Sequence, residues 1–193
     1  DNSLLILLAD LYRTDKQYDK AIEFYTSLIK KLSINDNQLW QIYYRRGICY
    51  ERSNKWKKAE NDFLQALKTE PEQPQVLNYL AYGWIEKSFH LEKSIKMLEK
   101  AIQKNPESHY ILDSLAWAYF KKNYLSKAAT MMENVIEIAP GEAISLDHLG
   151  DIYFTLGRKR EAYFMWIQAL DLAEPEDHIS ESVQLKIDKY NAG

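Results

Sequence analysis

An aromatic residue returns along this chain at a nearly fixed interval. Tyr12, Tyr50, Trp84, Tyr119 and Tyr153 are separated by 38, 34, 35 and 34 residues. A small residue keeps almost the same spacing: Ala21, Ala59, Ser94, Ala128 and Ala162 lie 38, 35, 34 and 34 apart. Two independent positions with one period argue against a core assembled from unlike elements. They point to repeated supersecondary units that bury their apolar faces against one another.

The residues around each position agree. The fifth copy reads Leu146, Leu149, Gly150 and Tyr153, then Ala162, Trp166 and Ala169. The fourth reads Leu112, Leu115, Ala116 and Tyr119, then Ala128 and Met132, closing at Pro140. The third reads Leu77, Leu80, Ala81 and Trp84, then Ser94, Leu98, Ala101 and Pro106. The second reads Tyr43, Arg46, Gly47 and Tyr50, then Ala59, Phe63, Ala66 and Pro71. The first reads Leu5, Leu8, Ala9 and Tyr12, then Ala21, Tyr25 and Leu28. Spacings of three and four put these residues on one face of a helix. Each copy is therefore a pair of helices. Its small residues let the backbones approach, and its large ones fill the gaps. Pro71, Pro106 and Pro140 fall where second helices should stop. With only 6 Gly and 5 Pro in 193 residues, there are few other breaks.

This pattern resembles the tetratricopeptide repeat (TPR). The resemblance implies an all-α solenoid of five helical hairpins forming a right-handed superhelix, whose first helices line the concave face. The expected repeats are about 2–38, 40–73, 74–108, 109–142 and 143–176. Ile179, Val183 and Ile187, with charges between them, predict an amphipathic capping helix over 177–193. Three departures stand out. Four extra residues follow the first copy, within Ser33 to Gln38, and one extra residue falls near Ser88 to His90. Arg46 stands where Leu is usual, its stem able to cover apolar surface. Leu4, Ile6 and Leu7 are more apolar than a first helix needs, so further repeats upstream or a packing partner are expected at this end. Self-association there is the alternative reading, with the chain as an architectural oligomerisation module.

The face of each first helix opposite the repeat positions follows from helical arithmetic. It carries Tyr44, Asn78, Tyr82, Tyr110, Asp113, Trp117, Phe120, Asp147, Asp151 and Phe154. Large aromatics without a packing duty in the repeat suggest an interface. Asp113, Asp147 and Asp151 are expected to gather toward the C-terminal end. The expected ligand is a protein or peptide segment with aromatic or aliphatic side chains and Lys or Arg. TPR modules that grip a terminal carboxylate use Lys and Asn on this face, and here acids and aromatics stand in those places.

Other functions find little support. The formal net charge of -3 speaks against nucleic acid. The longest apolar run, Leu4 to Ala9, is too short to span a bilayer. Motifs for nucleotide, metal or acyl-transfer chemistry are lacking, so no enzyme, cofactor or metal is expected. His148 turns about 100° from the face of Asp147 and Asp151. Cys49, the single cysteine, reads as a small buried residue. Over about residues 74 to 176 the segments Leu77 to Tyr82, Ile111 to Trp117 and Asp147 to Asp151 resemble exported TPR proteins and lipoproteins of proteobacteria. That narrower resemblance implies a periplasmic or outer-membrane-associated adaptor, as in protease or assembly complexes. Without it, a cytoplasmic location is expected.

Overall fold

The computed structural model describes residues 2–33 and 37–192. Every regular element among them is helical. The hairpins are α1 (Asn2–Thr14) with α2 (Tyr18–Lys31), α3 (Leu39–Arg52) with α4 (Trp56–Thr69), and α5 (Pro74–Glu86) with α6 (Leu91–Lys104). Then come α7 (His109–Lys121) with α8 (Leu125–Ile138), and α9 (Ala143–Thr155) with α10 (Lys159–Leu172). A short 3-10 turn, Pro175–Asp177, leads into α11 (Ser180–Asn191), which packs on α10 through buried Val183 and Ile187. The chain is an all-α TPR fold. The four-residue insertion expected within Ser33 to Gln38 falls largely on residues 34–36, outside the described residues.

Contacts separate the chain into two compact units, residues 1–80 and 81–193. In the first, α1 packs on α2, α2 on α3 and α3 on α4; in the second, each helix from α6 to α11 packs on the next. The same small-and-large alternation fills both cores. Ala21 and Tyr25, Ala59 and Phe63, Ser94 and Leu98, Ala128 and Met132, and Ala162 and Trp166 are all buried.

One turn geometry joins the two helices of every hairpin. The amides of Gln17, Lys55, Phe89, Tyr124 and Arg158 donate to the carbonyls of Tyr12, Tyr50, Trp84, Tyr119 and Tyr153 at 2.8–2.9 Å. The residue before each of these amides is left-handed: Lys16, Asn54, Ser88, Asn123 and Gly157 have φ between 57° and 81°. This is the helix-ending pattern in which orphan carbonyls are satisfied by the residues just past the helix. One of the five is glycine and two are asparagine, the residues that take this conformation most readily, so only Lys16 and Ser88 lack a sequence signature. In the third hairpin a second left-handed residue, His90 at φ 46°, absorbs the extra residue and sets its ring 4.9 Å from Trp84.

Two glycines mark the closest approaches. A Cβ on Gly47 would lie 2.6 Å from the Phe63 ring, and one on Gly150 would overlap the Trp166 indole. The two flat rings of this position that face a glycine are therefore matched by the missing methyl. Ser94 is the odd member of the small position. Its hydroxyl is buried and finds no partner among the described residues. Ser94→Ala removes that unsatisfied group and restores the residue that the other copies carry, so it should raise stability by about 1 kcal/mol. Urea denaturation of the two proteins checks this, and an unchanged or lower midpoint would contradict it.

Candidate protein-binding surface

In the first unit, Tyr44 is half-buried rather than free. It meets Tyr79 edge-on at 5.5 Å and lies 6.3 Å from Phe63. Asn78 is buried, and its amide oxygen has no partner among the described residues. Arg46 does more than cover apolar surface. Its guanidinium forks onto Asp62 at 2.7 and 2.8 Å and also donates to Thr26 Oγ1 at 2.9 Å. Asp62 is 1% exposed, so the arginine in the Leu position and the acid inside α4 exist for each other. Cys49 is buried, and that burial pushes its thiol up to about 12, leaving it inert.

In the second unit, α7 and α9 build a stack across their facing surfaces. The His148 ring lies on Trp117 at 4.0 Å and 12°, and Trp117 lies on Phe120 at 4.8 Å and 22°. Trp117 Nε1 donates to Glu86 at the end of α5 at 2.7 Å. His148 Nδ1 faces both Asp113 oxygens at 3.1 and 3.2 Å. Tyr82 closes one side, 6.5 Å from His148. Burial pulls the His148 imidazolium down, yet Asp113, helped by Asp147 and Glu86, outweighs it and holds His148 above its ordinary value.

The aspartates of this surface do not form one free acidic patch. Asp113 is spent on His148. Asp147 and Asp151 share Lys186, which α11 carries to within 2.6 and 2.7 Å of them. Asp151 also accepts the Trp166 Nε1 hydrogen bond at 3.1 Å. Asp113 and Asp147 are 6% and 7% exposed, and carboxylates that deep need partners. Trp117 is likewise buried, under its neighbours in the stack. What remains open to a ligand is Tyr110 on α7, 39% exposed, and Phe154 on α9, 44% exposed, with Phe120 partly so.

His148, Glu86 and Lys186 were absent from the face drawn from the sequence. His148 lies 35 residues after Asp113, and Lys186 lies 35 after Asp151. The repeat period was thus the available signal, since one period along the chain brings equivalent faces together. Two further bonds follow a constant offset. Tyr119 donates to Glu99 and Tyr153 to Glu133, each 20 residues back on the preceding second helix. Burial and the Glu133 bond push the Tyr153 hydroxyl up to about 12.

Stacked hairpins with aromatic side chains left exposed on their first helices define a helical-repeat scaffold of the protein-binding class. Three tetratricopeptide repeat models match residues 4–38, 40–73 and 110–142, together more than half of the chain. The chain belongs to the tetratricopeptide repeat family, whose arrays serve in general as protein-interaction scaffolds rather than catalysts. It is 26% identical over 152 residues to TPR repeat-containing protein PA4667 of Pseudomonas aeruginosa, covering 70% of this chain and 26% of that protein. It is 25% identical over 169 residues to the BBSome complex member BBS4 homolog of Drosophila melanogaster, covering 86% of this chain and 34% of that one. The chain thus spans about a quarter to a third of the length of these relatives. Among solved structures, PilW, a widely conserved type IV pilus biogenesis factor, superposes with a TM-score of 0.77 at 15% identity, over 99% of this chain and 90% of PilW. TTC0263, a TPR protein of Thermus thermophilus, does so with 0.74 at 15% identity over all of both chains. YrrB, a TPR protein with an unusual peptide-binding site, gives 0.67 at 21% identity, over 98% of this chain and 92% of YrrB. These likenesses concern the fold.

Among the described residues no helix is long and apolar enough to cross a membrane.

Proposed function

We propose that this chain is an adaptor that holds a segment of a partner protein along the first-helix face of its C-terminal hairpins. The observation that carries the reading is the pairing of a rigid base with open aromatics. The Phe120–Trp117–His148 stack is held at Trp117 by Glu86 and at His148 by Asp113, while Tyr110 on α7 and Phe154 on α9 stay exposed. Pre-ordered aromatic anchors lose little entropy on binding, so they favour affinity. The expected partner offers aromatic or aliphatic side chains. The basic preference that free aspartates would have given has little to rest on, because those aspartates already hold His148 and Lys186. The likeness to exported proteobacterial TPR proteins favours a bacterial envelope setting, in a protease or assembly complex.

The test is a pull-down from envelope extract with the wild type and a Tyr110→Ala, Phe154→Ala variant. Both side chains are exposed, so the fold should survive. A partner retained by the wild type and lost by the variant is the expected result. Identical protein profiles would remove the first-helix face from the function. One observation favours a second reading: Leu4, Leu7 and Leu11 of α1 are 65%, 57% and 56% exposed and share a face. Retention of further copies of this chain alone, abolished by Leu7→Glu, would favour an oligomerisation module instead.

A further inference from the structure

A pocket of about 650 Å³ opens between α9, α10 and α11. Its cations are Lys159 and Arg160 at the start of α10, and Lys186 and Lys189 on α11. Its apolar lining is Phe154, the Trp166 indole and Tyr190, whose ring is fixed by stacking on Tyr163 at 4.7 Å. Among the described residues the only acid lining it is Asp151, already engaged by Lys186 and by Trp166 Nε1.

The charges do not balance. The chain as a whole is acidic, with a formal net charge of -3. Here cations exceed acids, and Lys159, Arg160 and Lys189 are exposed, with no carboxylate in ion-pair reach among the described residues. Elsewhere on the same hairpin an arginine does find its acids: Arg158, one residue before Lys159, is bonded to Glu133 and Glu161. Unspent like charges around an apolar hollow raise the local concentration of an anion and gain from its arrival.

We propose that this pocket is a docking site for an acidic protein segment that presents an aromatic or aliphatic side chain between carboxylates. The side chain enters against Phe154 and Trp166, and the flanking carboxylates meet Lys159, Arg160 and Lys189. A volume of this size suits one or two side chains rather than a long strand. A nucleic-acid backbone requires a track of phosphate contacts, whereas these cations converge on one hollow. The site rests on the adaptor reading given above and states the sign of charge that its partner must carry. That sign is opposite to the one the aspartates suggested from the sequence.

Calorimetric titration of the whole chain tests it with three synthetic peptides identical except at their core: Glu-Phe-Glu, Gln-Phe-Gln and Lys-Phe-Lys. Binding is expected for the acidic peptide, weakening as salt is raised. A Lys159→Glu, Lys189→Glu variant, with its helical circular dichroism unchanged, should lose about tenfold or more of that affinity and gain binding of the basic peptide. Equal binding of the neutral peptide overturns the proposal. So does an acidic peptide that ignores the charge reversal or fails to bind the wild type, or one displaced by stoichiometric inorganic phosphate or a single-stranded oligonucleotide. The same variant in the pull-down separates this site from the adaptor reading. A partner still retained refutes the pocket alone, while a wild type that retains no partner refutes the adaptor itself.

Discussion

Replacing Arg46 by Met should lower the stability of the N-terminal unit by about 3–5 kcal/mol at neutral pH, because it strands a buried carboxylate. Asp62 is 1% exposed and receives both of its strong hydrogen bonds from the Arg46 guanidinium. The methionine stem would fill much of the same volume, so the loss isolates the charge from the packing. Burial holds the Asp62 carboxyl above its usual range, with Arg46 pulling it back. Without Arg46 the carboxyl must rise further. A carboxyl whose folded pKa is raised contributes stability below its unfolded value and loses it as pH rises. The damage should therefore be smaller in acid than at neutrality. An Arg46→Met, Asp62→Leu double variant should recover most of the loss, since a buried pair replaced by apolar side chains is often neutral or better. Denaturant unfolding of the single and double variants decides this. A single variant within about 1 kcal/mol of wild type would show that Asp62 is not held as described.

The second large effect is a reversal in pH dependence. Asp113 keeps His148 protonated inside the stack, with His148 above its ordinary value. For a histidine raised in the folded state, the stabilising term is fully present below the unfolded value. It fades as pH climbs through the folded value. Wild-type stability should therefore fall as pH rises above about 6.5. Asp113→Asn removes the largest counter-charge and leaves burial, which pulls the imidazolium down, opposed only by the weaker pulls of Asp147 and Glu86. His148 would then fold neutral, and its contribution would be lost as pH falls instead. Asp113→Asn should cost about 1.5–3 kcal/mol near pH 6, from the lost charged hydrogen bond. Urea midpoints measured between about pH 5 and 8 give the two slopes. Parallel slopes would refute the pairing. Asp147, which burial also holds above the carboxylate range against the pull of Lys186, adds a slope of the same sign at lower pH, present in both proteins.

Much of the fold was legible because a repeat states the same packing problem five times. One Ala or Gly means little; Ala9, Gly47, Ala81, Ala116 and Gly150 at one recurring place mean a close helix crossing. The inner faces, the prolines at helix ends and the last amphipathic helix all follow from period and chemistry. The turns were less legible. Lys16 and Ser88 take up a left-handed conformation that Gly157 and, less strongly, Asn54 and Asn123 advertise. There the bonds back to the aromatic carbonyl, rather than residue preference, hold the shape.

The candidate site was legible in its membership and not in its state. The outward face of the first helices could be drawn from helical geometry. Trp117, Asp113 and Asp147 nevertheless turned out to be buried, and Tyr110 and Phe154 open. The sequence by itself determined the repeat, the helices, their packed faces and the small residues that let them meet, because these depend on spacing within about forty residues. Only the tertiary structure decided which charges cancel. Arg46 with Asp62, Asp113 with His148, and Lys186 with Asp147 and Asp151 are pairings across helices. A charge's partner is fixed by distances of a few ångströms in space, and helical period fixes only the side of the helix from which the charge departs.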